Sequence, residues 1–562
     1  MWKEQQSVND WPTAEQLASF WWHLKGELGF RTLLYYQSKK CRCSIENLLD
    51  ERNMTTTTLV WNNASNAPYL RLKQNVDILG LVCLDSDLFE PVLIALSTML
   101  NHMREVPLLL QICTKDPDQK SIVELGRQIL KRCQDLLMPN VLLLLNDFFT
   151  SSPGMIYAYQ MFPTFRMLSQ VYHAGLKLYP YKLANLHGQV IRTRADLSQP
   201  YLLVYKDRNG KLITNGVLWH FMEGFASYLN ATLELSYDTD SSHSVRGSYF
   251  RLLPQIQNGT TDVTTSLFPL TFSLSSNLNI FSSPVIINSW CTMLPVERVV
   301  SPREAMTGVL ESPWMWVYLG IVYCLIRHLY ERRMPGRPIL ILLPSLIRLT
   351  LLCTVVAQLS ALFIRPQKLR MISNLEQLNA SGLKIIGLRG EFNQYPDEMR
   401  IKYASSFISF ENYTQFMYQR NSFNSSFGYT IYEIKWNNIA ELQKFFKRPI
   451  FRYSTNLCVR QVSLNSVILQ ENFLYRNQLD LYILWLRQSG ILGFYVNKHF
   501  FDMLNAGYFK LQDLSTQVDV KPLKFAEMDF IVVLYGYAMA ISLLIFVFEL
   551  LVYYTNVCLH IL

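Results

Sequence analysis

Apolar positions recur with two different periods along residues 75–165. The strand-like runs are Val76–Leu84, Val106–Cys113, Val141–Phe148 and Met155–Phe162. The runs with helical spacing are Glu90–Arg104 and Ser121–Leu137. Strands that alternate with helices of this length predict βαβ units and a parallel sheet. No glycine-rich phosphate loop accompanies these runs, so the pattern gives no reason to expect a nucleotide site.

A second α/β pattern covers residues 185–295 and resumes after residue 366. Before the break, the predicted strands are Gln199–Tyr205, Leu212–Ile213, Thr232–Tyr237 and Asp262–Leu267, and the predicted helices are Val217–Leu229 and Tyr249–Gln257. After it, the predicted elements are the helix Ser373–Asn379, the strand Leu383–Leu388 and the helix Leu474–Ser489, which Gly490 is placed to terminate. One α/β domain therefore looks divided by an insertion.

Three longer apolar stretches predict membrane-spanning helices. They are Trp314–Tyr330, Ile339–Ile364 and Phe530–Tyr554. About 20 apolar residues cross the core of a bilayer, so the third stretch is long enough to span it. The first is short, but its tryptophans and tyrosines are typical of a membrane interface. The alternative for each stretch is a helix buried in a protein core.

Two signals orient these spans. Arg332, Arg333 and Arg337 lie between the first two stretches, and the positive-inside rule places such a loop in the cytoplasm. Glycosylation sequons fall only on the two long segments that this topology leaves outside. They begin at Asn53, Asn63, Asn230, Asn258, Asn379, Asn412 and Asn424. We therefore expect a multi-pass plasma-membrane protein with an extracellular amino terminus, although the basic run Arg365–Arg370 counts against this topology.

Composition supports a membrane protein and excludes several other classes. Only 17% of the residues are charged, against about 25% in soluble proteins. The formal charge of +9 comes without a basic tract interleaved with aromatics, so no nucleic-acid partner is expected. No GxSxG, HExxH or paired CxxC motif is present, and we predict no enzyme, metal or cofactor. Seven of the ten cysteines would lie outside, and this odd number leaves the disulfide pairing unassigned.

Residues 1–40 contain no basic start followed by an apolar core, so no ordinary signal peptide is predicted. Either the first apolar stretch acts as the insertion signal or the natural chain starts elsewhere.

The order of these parts resembles the ionotropic glutamate receptor superfamily, particularly the divergent insect ionotropic receptors. Four short matches across residues 185–555 carry the resemblance. They are Asn215–Ala226, similar to the helix of the first ligand-binding half; Pro269-Leu270-Thr271 with Phe281–Pro284, similar to PLT…FSxPF; Ala357–Phe363, similar to the gate helix; and Asn374–Leu378, similar to the start of the second half. The resemblance implies a bilobed, periplasmic-binding-protein-like α/β domain split by an α-helical pore. It also implies a hetero-tetramer with a co-receptor subunit.

The resemblance implies candidate ligand-contacting residues, and this chain departs from the family's pattern at one of these positions. Glutamate-binding members carry an arginine shortly after PLT, but Phe272–Ser283 contains no Arg or Lys, and Ser276 stands about where that arginine would be. Glutamate and glycine are therefore not the expected agonists. Thr271 keeps the family's ligand-contacting hydroxyl, with a bond to its own backbone as the alternative. Arg389 and Glu391 follow a strand of the second half and are cleft candidates, with a solvated loop as the alternative.

The pore region is compressed. Only Met334–Pro338 precedes the second apolar run, which is too little for the family's re-entrant pore helix. Either Ile339–Leu346 is a shortened remnant of that helix, or the whole run is one kinked span. The charge of Arg348 within this apolar run predicts that the residue faces a pore or a helix interface. The alternative is that its side chain snorkels to the membrane surface. Gln358 and Ala361 belong to the gate-helix match.

These inferences predict a domain order and a function. The expected parts are an amino-terminal α/β domain (1–180), two ligand-binding halves (185–311 and 366–525), a first span with pore region and gate helix (312–365), a last span (526–556) and a cytoplasmic tail (557–562). The leading hypothesis is a subunit of a ligand-gated cation channel of chemosensory type. Its partners would be membrane lipid, other receptor subunits and a small-molecule ligand of unknown identity. The rivals are a non-conducting receptor-like or escort subunit and, more remotely, a membrane-anchored enzyme.

Overall fold

The structure is a computed structural model, and its described residues form a mixed α/β protein with several sheets. It describes residues 14–36, 57–61, 77–113, 119–145, 154–197, 201–207, 209–237, 245–273, 278–300, 368–515 and 529–561, together with isolated positions between these ranges.

Residues 14–171 build a seven-stranded sheet. Its strands are β1 (Thr32–Tyr36), β2 (Thr57–Trp61), β3 (Ile78–Asp85), β4 (Leu108–Cys113), β5 (Val141–Leu144), β6 (Met155–Gln160) and β7 (Arg166–Val171), and its helices are α1 (Ala14–Leu28), α2 (Phe89–Met99) and α3 (Gln119–Asp135). The order is β2-β1-β3-β4-β5-β6-β7, and the first five strands are parallel. Apolar clusters cover both faces of the sheet, which explains the nearly continuous apolar strands. The predicted βαβ units are confirmed.

The predicted helix Glu90–Arg104 is too long. The helix ends at Met99, and His102 adopts a φ of +62°, a left-handed conformation that a helix cannot continue through.

Residues 190–264 form a small parallel sheet beside a hairpin. The strands are β8 (Val190–Ala195), β9 (Leu203–Lys206), β10 (Leu212–Asn215), β11 (Thr232–Tyr237) and β12 (Val263–Thr264), and the helices are α4 (Val217–Tyr228) and α5 (Val245–Gln257). The sheet order is β11-β8-β12, and β9 pairs antiparallel with β10. The strand predicted at Asp262–Leu267 is shorter, because the Thr264 amide bonds the carbonyl of Ile468 in a distant segment.

A six-stranded sheet unites residues from both sides of the central apolar stretches. Its strands are β13 (Phe268–Pro269), β14 (Ile286–Pro295), β15 (Lys384–Leu388), β16 (Phe407–Phe410), β17 (Phe427–Tyr432) and β18 (Phe451–Ser466), and its helices are α6 (Leu375–Ser381), α7 (Arg389–Phe392), α8 (Asp397–Lys402), α9 (Tyr413–Asn421) and α10 (Glu433–Gln443). The order is β13-β18-β14-β17-β15-β16. The long strands β14 and β18 run antiparallel, and a Cys291–Cys458 disulfide joins them.

The two ends of the central insertion lie next to each other. Val299 pairs antiparallel with Lys368, and the Leu369 amide donates to the Arg298 carbonyl over 3.1 Å. The chain therefore leaves the six-stranded sheet and returns to it at one place.

Two helices after β18 pack back against α4. They are α11 (Arg476–Gln488) and α12 (Ile491–Asn505), separated by Gly490 at a φ of +74°, as the sequence predicts. The ring centroids of Phe221 and Tyr482 are 5.7 Å apart, and those of Tyr228 and Trp485 are 5.5 Å apart. The region around Val217–Leu229 thus lies in direct contact with the predicted helix Leu474–Ser489.

The last helix is α13 (Asp529–Ile561). Its segment Tyr535–Thr555 has a mean hydropathy of 2.0 and is, within the described ranges, the one helix long and apolar enough to cross a membrane. Its described side chains are exposed. The first and second apolar stretches fall outside the described residues except for isolated positions, so a multi-pass topology stays a prediction.

Candidate functional site

The two predicted cleft residues on α7 point in opposite directions. Arg389 is exposed, and its Nη1 lies 2.5 Å from Oε1 of Glu411, with side-chain exposures of 68% and 76%. Glu391 is turned inward, where it accepts hydrogen bonds from the Leu388 amide at 3.1 Å and from the Thr430 hydroxyl. Burial raises the pKa of Glu391, and the hydrogen bond from Thr430 is the largest effect opposing this rise. Arg389 therefore occupies the solvated position that was the alternative for this pair.

The structure describes only some of the other predicted site residues. Thr271 lies half-buried in the short 3-10 helix Leu270–Ser273. Ser276 and the pore candidates Arg348, Gln358 and Ala361 lie outside the described residues, as do the sequons at Asn53 and Asn63. The sequon residues Asn230, Asn258, Asn379, Asn412 and Asn424 are all exposed. Their side chains are therefore accessible, as glycosylation requires.

A buried arginine on α9 is the most unusual polar group near the six-stranded sheet. Asn412 caps the helix by accepting from the amides of Thr414 and Gln415. Phe416 and Arg420 are separated by one helical turn and therefore share the buried face. Arg420 is 6% exposed, and its guanidinium carbon lies 5.4 Å from the centroid of the Phe416 ring.

The Arg420 guanidinium has few hydrogen-bond acceptors. Its Nη2 lies 2.9 Å from the Met417 sulfur, and its Nε is buried with no hydrogen-bond partner among the described residues. Burial lowers the pKa of Arg420, while the charges of Tyr413 and Glu391 oppose this shift. Native proteins rarely leave a buried donor unsatisfied, and such a group calls for an explanation.

A lysine on α10 adds a second cation. Lys435 lies in the first turn of that helix and is half-buried. Loss of solvation, together with the positive charge of Arg420, lowers its pKa to about 7, and the charges of Asp196 and Glu391 oppose the shift. Across the described residues, no carboxylate oxygen lies within 4.0 Å of a side-chain nitrogen of Lys435 or Arg420. The two cations therefore lack a direct counter-ion.

The nearby acids are engaged by neutral donors. Asp196 follows β8, accepts a hydrogen bond from the Ser266 hydroxyl, and donates its own amide to the same oxygen over 2.9 Å. Glu391 is held by Thr430 and Leu388 as described above. These acids moderate the positive potential around Arg420 and Lys435 without forming an ion pair with either cation.

The two cations line a cavity of about 80 Å³. Its other lining residues with polar groups are Gln199, Asn421, Asn438 and Tyr508, and its apolar lining residues include Met503 and Phe509. Gln199 follows β8, Asn421 and Asn438 belong to the α9–α10 region, and Met503 lies on α12. Three distant parts of the chain therefore meet at a cavity lined by both polar and apolar side chains.

Sequence reasoning did not identify Asp196, Arg420 or Lys435. The available signal was the spacing of Phe416 and Arg420, which puts a charge on the apolar face of a short helix.

A second titratable cluster lies between α4 and α12. His220 Nε2 is 3.4 Å from Oδ2 of Asp502, and His499 is fully buried. Burial lowers the pKa of His499 to about 4. The described residues contain no group of three or more His, Cys, Asp or Glu side chains arranged to hold a metal ion.

Comparison with models of known protein families and with curated protein sequences gives no match for this chain.

Proposed function

We propose that the chain is a subunit of a ligand-gated cation channel of chemosensory type, with a bilobed extracellular domain assembled from residues on both sides of the central apolar stretches. The observation that carries this proposal is the shared sheet. Trp290 of β14 pairs with Tyr432 of β17, and Cys291 pairs with Cys458 of β18. Two segments in one sheet lie on the same side of any membrane, so an insertion that enters the bilayer must cross it an even number of times.

The points at which the chain leaves these sheets support coupling between binding and gating. Both ends of the insertion depart beside Val299 and Lys368, an isolated bridge that follows the end of β14. The route to α13 instead follows α12, which packs against α4. A change in the position of the six-stranded sheet relative to α4 and α12 would therefore move the membrane segments relative to each other.

The extracellular placement has independent support. Disulfides form and persist mainly in oxidising compartments, and Cys291 and Cys458 are joined. The sequons at Asn379 and Asn412 are exposed on the same part of the fold.

Electrical recording tests the proposal. The full chain is co-expressed with candidate co-receptor subunits, and ligand-evoked current is measured for the wild type, Gln358→Ala and Arg348→Gln. Lys444→Met, an exposed change at the C-terminal cap of α10, is the control. We expect altered conductance or rectification in the two pore variants and unchanged current in the control. A current that neither pore variant alters would favour the non-conducting subunit, the rival that the compressed pore region motivates.

A further inference from the structure

We propose that the cavity between α9, α10 and α12 binds a small organic carboxylate, whose negative charge is received by Arg420 and Lys435. This proposal names a ligand class for the body described under the proposed function and rests on that function only for its physiological meaning.

The first argument is the missing counter-charge. Arg420 is more than nine-tenths buried, its Nε has no hydrogen-bond partner in the described part of the chain, and it lines a cavity. Lys435 lines the same cavity. A buried charge is costly unless an opposite charge or hydrogen bonds compensate it, and an arginine fork matches the two oxygens of a carboxylate.

The second argument is the donor set beside the cations. Asn421 and Asn438 border the cavity with amide groups. The Asn438 Nδ2 donates one of its two hydrogens to the Ile434 carbonyl over 3.2 Å. Asn421 offers donors to an anion, whereas an ammonium ligand would meet two like charges at this end of the cavity.

The third argument concerns size and the apolar wall. A volume of about 80 Å³ exceeds the space that one water needs, about 10–15 Å³ on the same measure, and suits a ligand of only a few heavy atoms. Apolar side chains also line the cavity, among them Met503 and Phe509, and they favour a short hydrocarbon tail. A fully hydrated inorganic ion would leave that apolar surface unused, which favours a short-chain carboxylate.

Thermal unfolding of the purified full-length protein tests this inference directly. Sodium propionate and sodium butyrate are titrated at constant ionic strength, with sodium chloride, propanol and propylammonium chloride as comparison solutes. We expect the unfolding temperature to rise with the carboxylates only, since a ligand that binds the folded state stabilises it. An equal rise with chloride or propanol, or no rise with either carboxylate, would overturn the proposal.

Variants of Lys435 assign the effect to the cavity. Lys435→Met should raise the half-saturating propionate concentration at least tenfold, whereas Lys435→Arg should retain most of the wild-type response. The matched control Lys444→Met removes an exposed lysine at the C-terminal cap of the same helix and should respond as the wild type does. If Lys435→Met responds as the wild type does, the site is assigned wrongly. If Lys435→Met does not fold, loss of the propionate response in Lys435→Arg would also contradict the assignment of a charge-receiving site.

The result of the carboxylate-binding test can be distinguished from the result of the test of the proposed function. A carboxylate-dependent shift in a protein that passes no current supports the site and contradicts the channel. Currents evoked by a neutral or cationic ligand, with no carboxylate-dependent shift, support the channel and contradict the site.

Discussion

The junction between the seven-stranded sheet and residues 471–478 differs from the cavity around Arg420 in how its polar groups are matched. At the junction, the Asn472 side chain accepts from the His102 amide and donates to Asn101, both over 2.6 Å. Asn477 donates to Glu105 over 2.5 Å. In the cavity, no acid of the described part of the chain lies within ion-pair distance of Arg420 or Lys435. Matched groups fix one arrangement of two surfaces, whereas uncompensated charges favour an outside partner.

The largest effect is expected at Arg420, where a substitution should weaken ligand binding without lowering the stability of the ligand-free protein. Arg420→Met should weaken propionate binding about 100-fold, since loss of a buried charge pair costs about 2–5 kcal/mol. The ligand-free protein should be as stable as the wild type or more stable, because an uncompensated buried charge is removed. Chemical denaturation and propionate titration of the same preparation measure both quantities. A large loss of ligand-free stability would mean that Arg420 is a structural residue.

The junction should respond in the opposite way at Asn472. Asn472→Ala should destabilise the protein by about 2–3 kcal/mol, because it leaves the His102 amide without this acceptor and puts alanine at a φ of +59°. Asn472→Gly removes the same side chain without the backbone strain and should cost about 1 kcal/mol less. Denaturant unfolding measures both variants. Propionate affinity should not change in either, and a change would couple the junction to the cavity.

Glu105 gives the junction its own pH dependence. Burial raises the pKa of Glu105 to about 7 from the usual value of 4.5, opposed by the hydrogen bond from Asn477. The folded protein therefore holds a proton that the unfolded chain has lost between these values, and stability falls as pH rises from about 4.5 to 7. Glu105→Gln should remove this dependence and gain about 2 kcal/mol above pH 7, allowing for partial exposure. Unfolding at several pH values measures this, and an unchanged slope in the variant would refute it.

The cavity should show a weaker pH effect on binding. The pKa of Lys435 is about 7, and Arg420, Asp196 and Glu391 are the charged groups that influence it. An anion binds the protonated lysine better, so propionate affinity should fall by up to about tenfold per pH unit above 7. Lys435→Arg should flatten this profile. A profile that stays steep in that variant would point to another titrating group.

The sequence predicted elements whose apolar positions recur with a regular period and missed the irregular ones. Thr232–Tyr237 was predicted with its observed bounds, and Val217–Leu229 differs from α4 by one residue. The strands β14 and β18 were missed because their apolar period is interrupted by register shifts and by buried polar pairs, such as Asn288 and Asn465 at 2.8 Å. Such pairs satisfy each other only after folding.

Sequence patterns could not predict the candidate cavity, for a related reason. Gln199, Arg420 and Met503 lie far apart in the chain and meet only in the folded protein. Arg389 and Glu391 were local candidates, and their side chains differ in exposure because neighbouring positions of a helical turn point in different directions. Their contact with a ligand stays a prediction.

Mass spectrometry of the unreduced protein from intact cell membranes tests the central claim most directly. The account predicts a peptide pair linked through Cys291 and Cys458, together with glycans at Asn230 and Asn412, which lie on opposite sides of the central apolar stretches. Free thiols at both cysteines, with a glycan at Asn230 and none at Asn379, Asn412 or Asn424, would contradict a shared extracellular sheet.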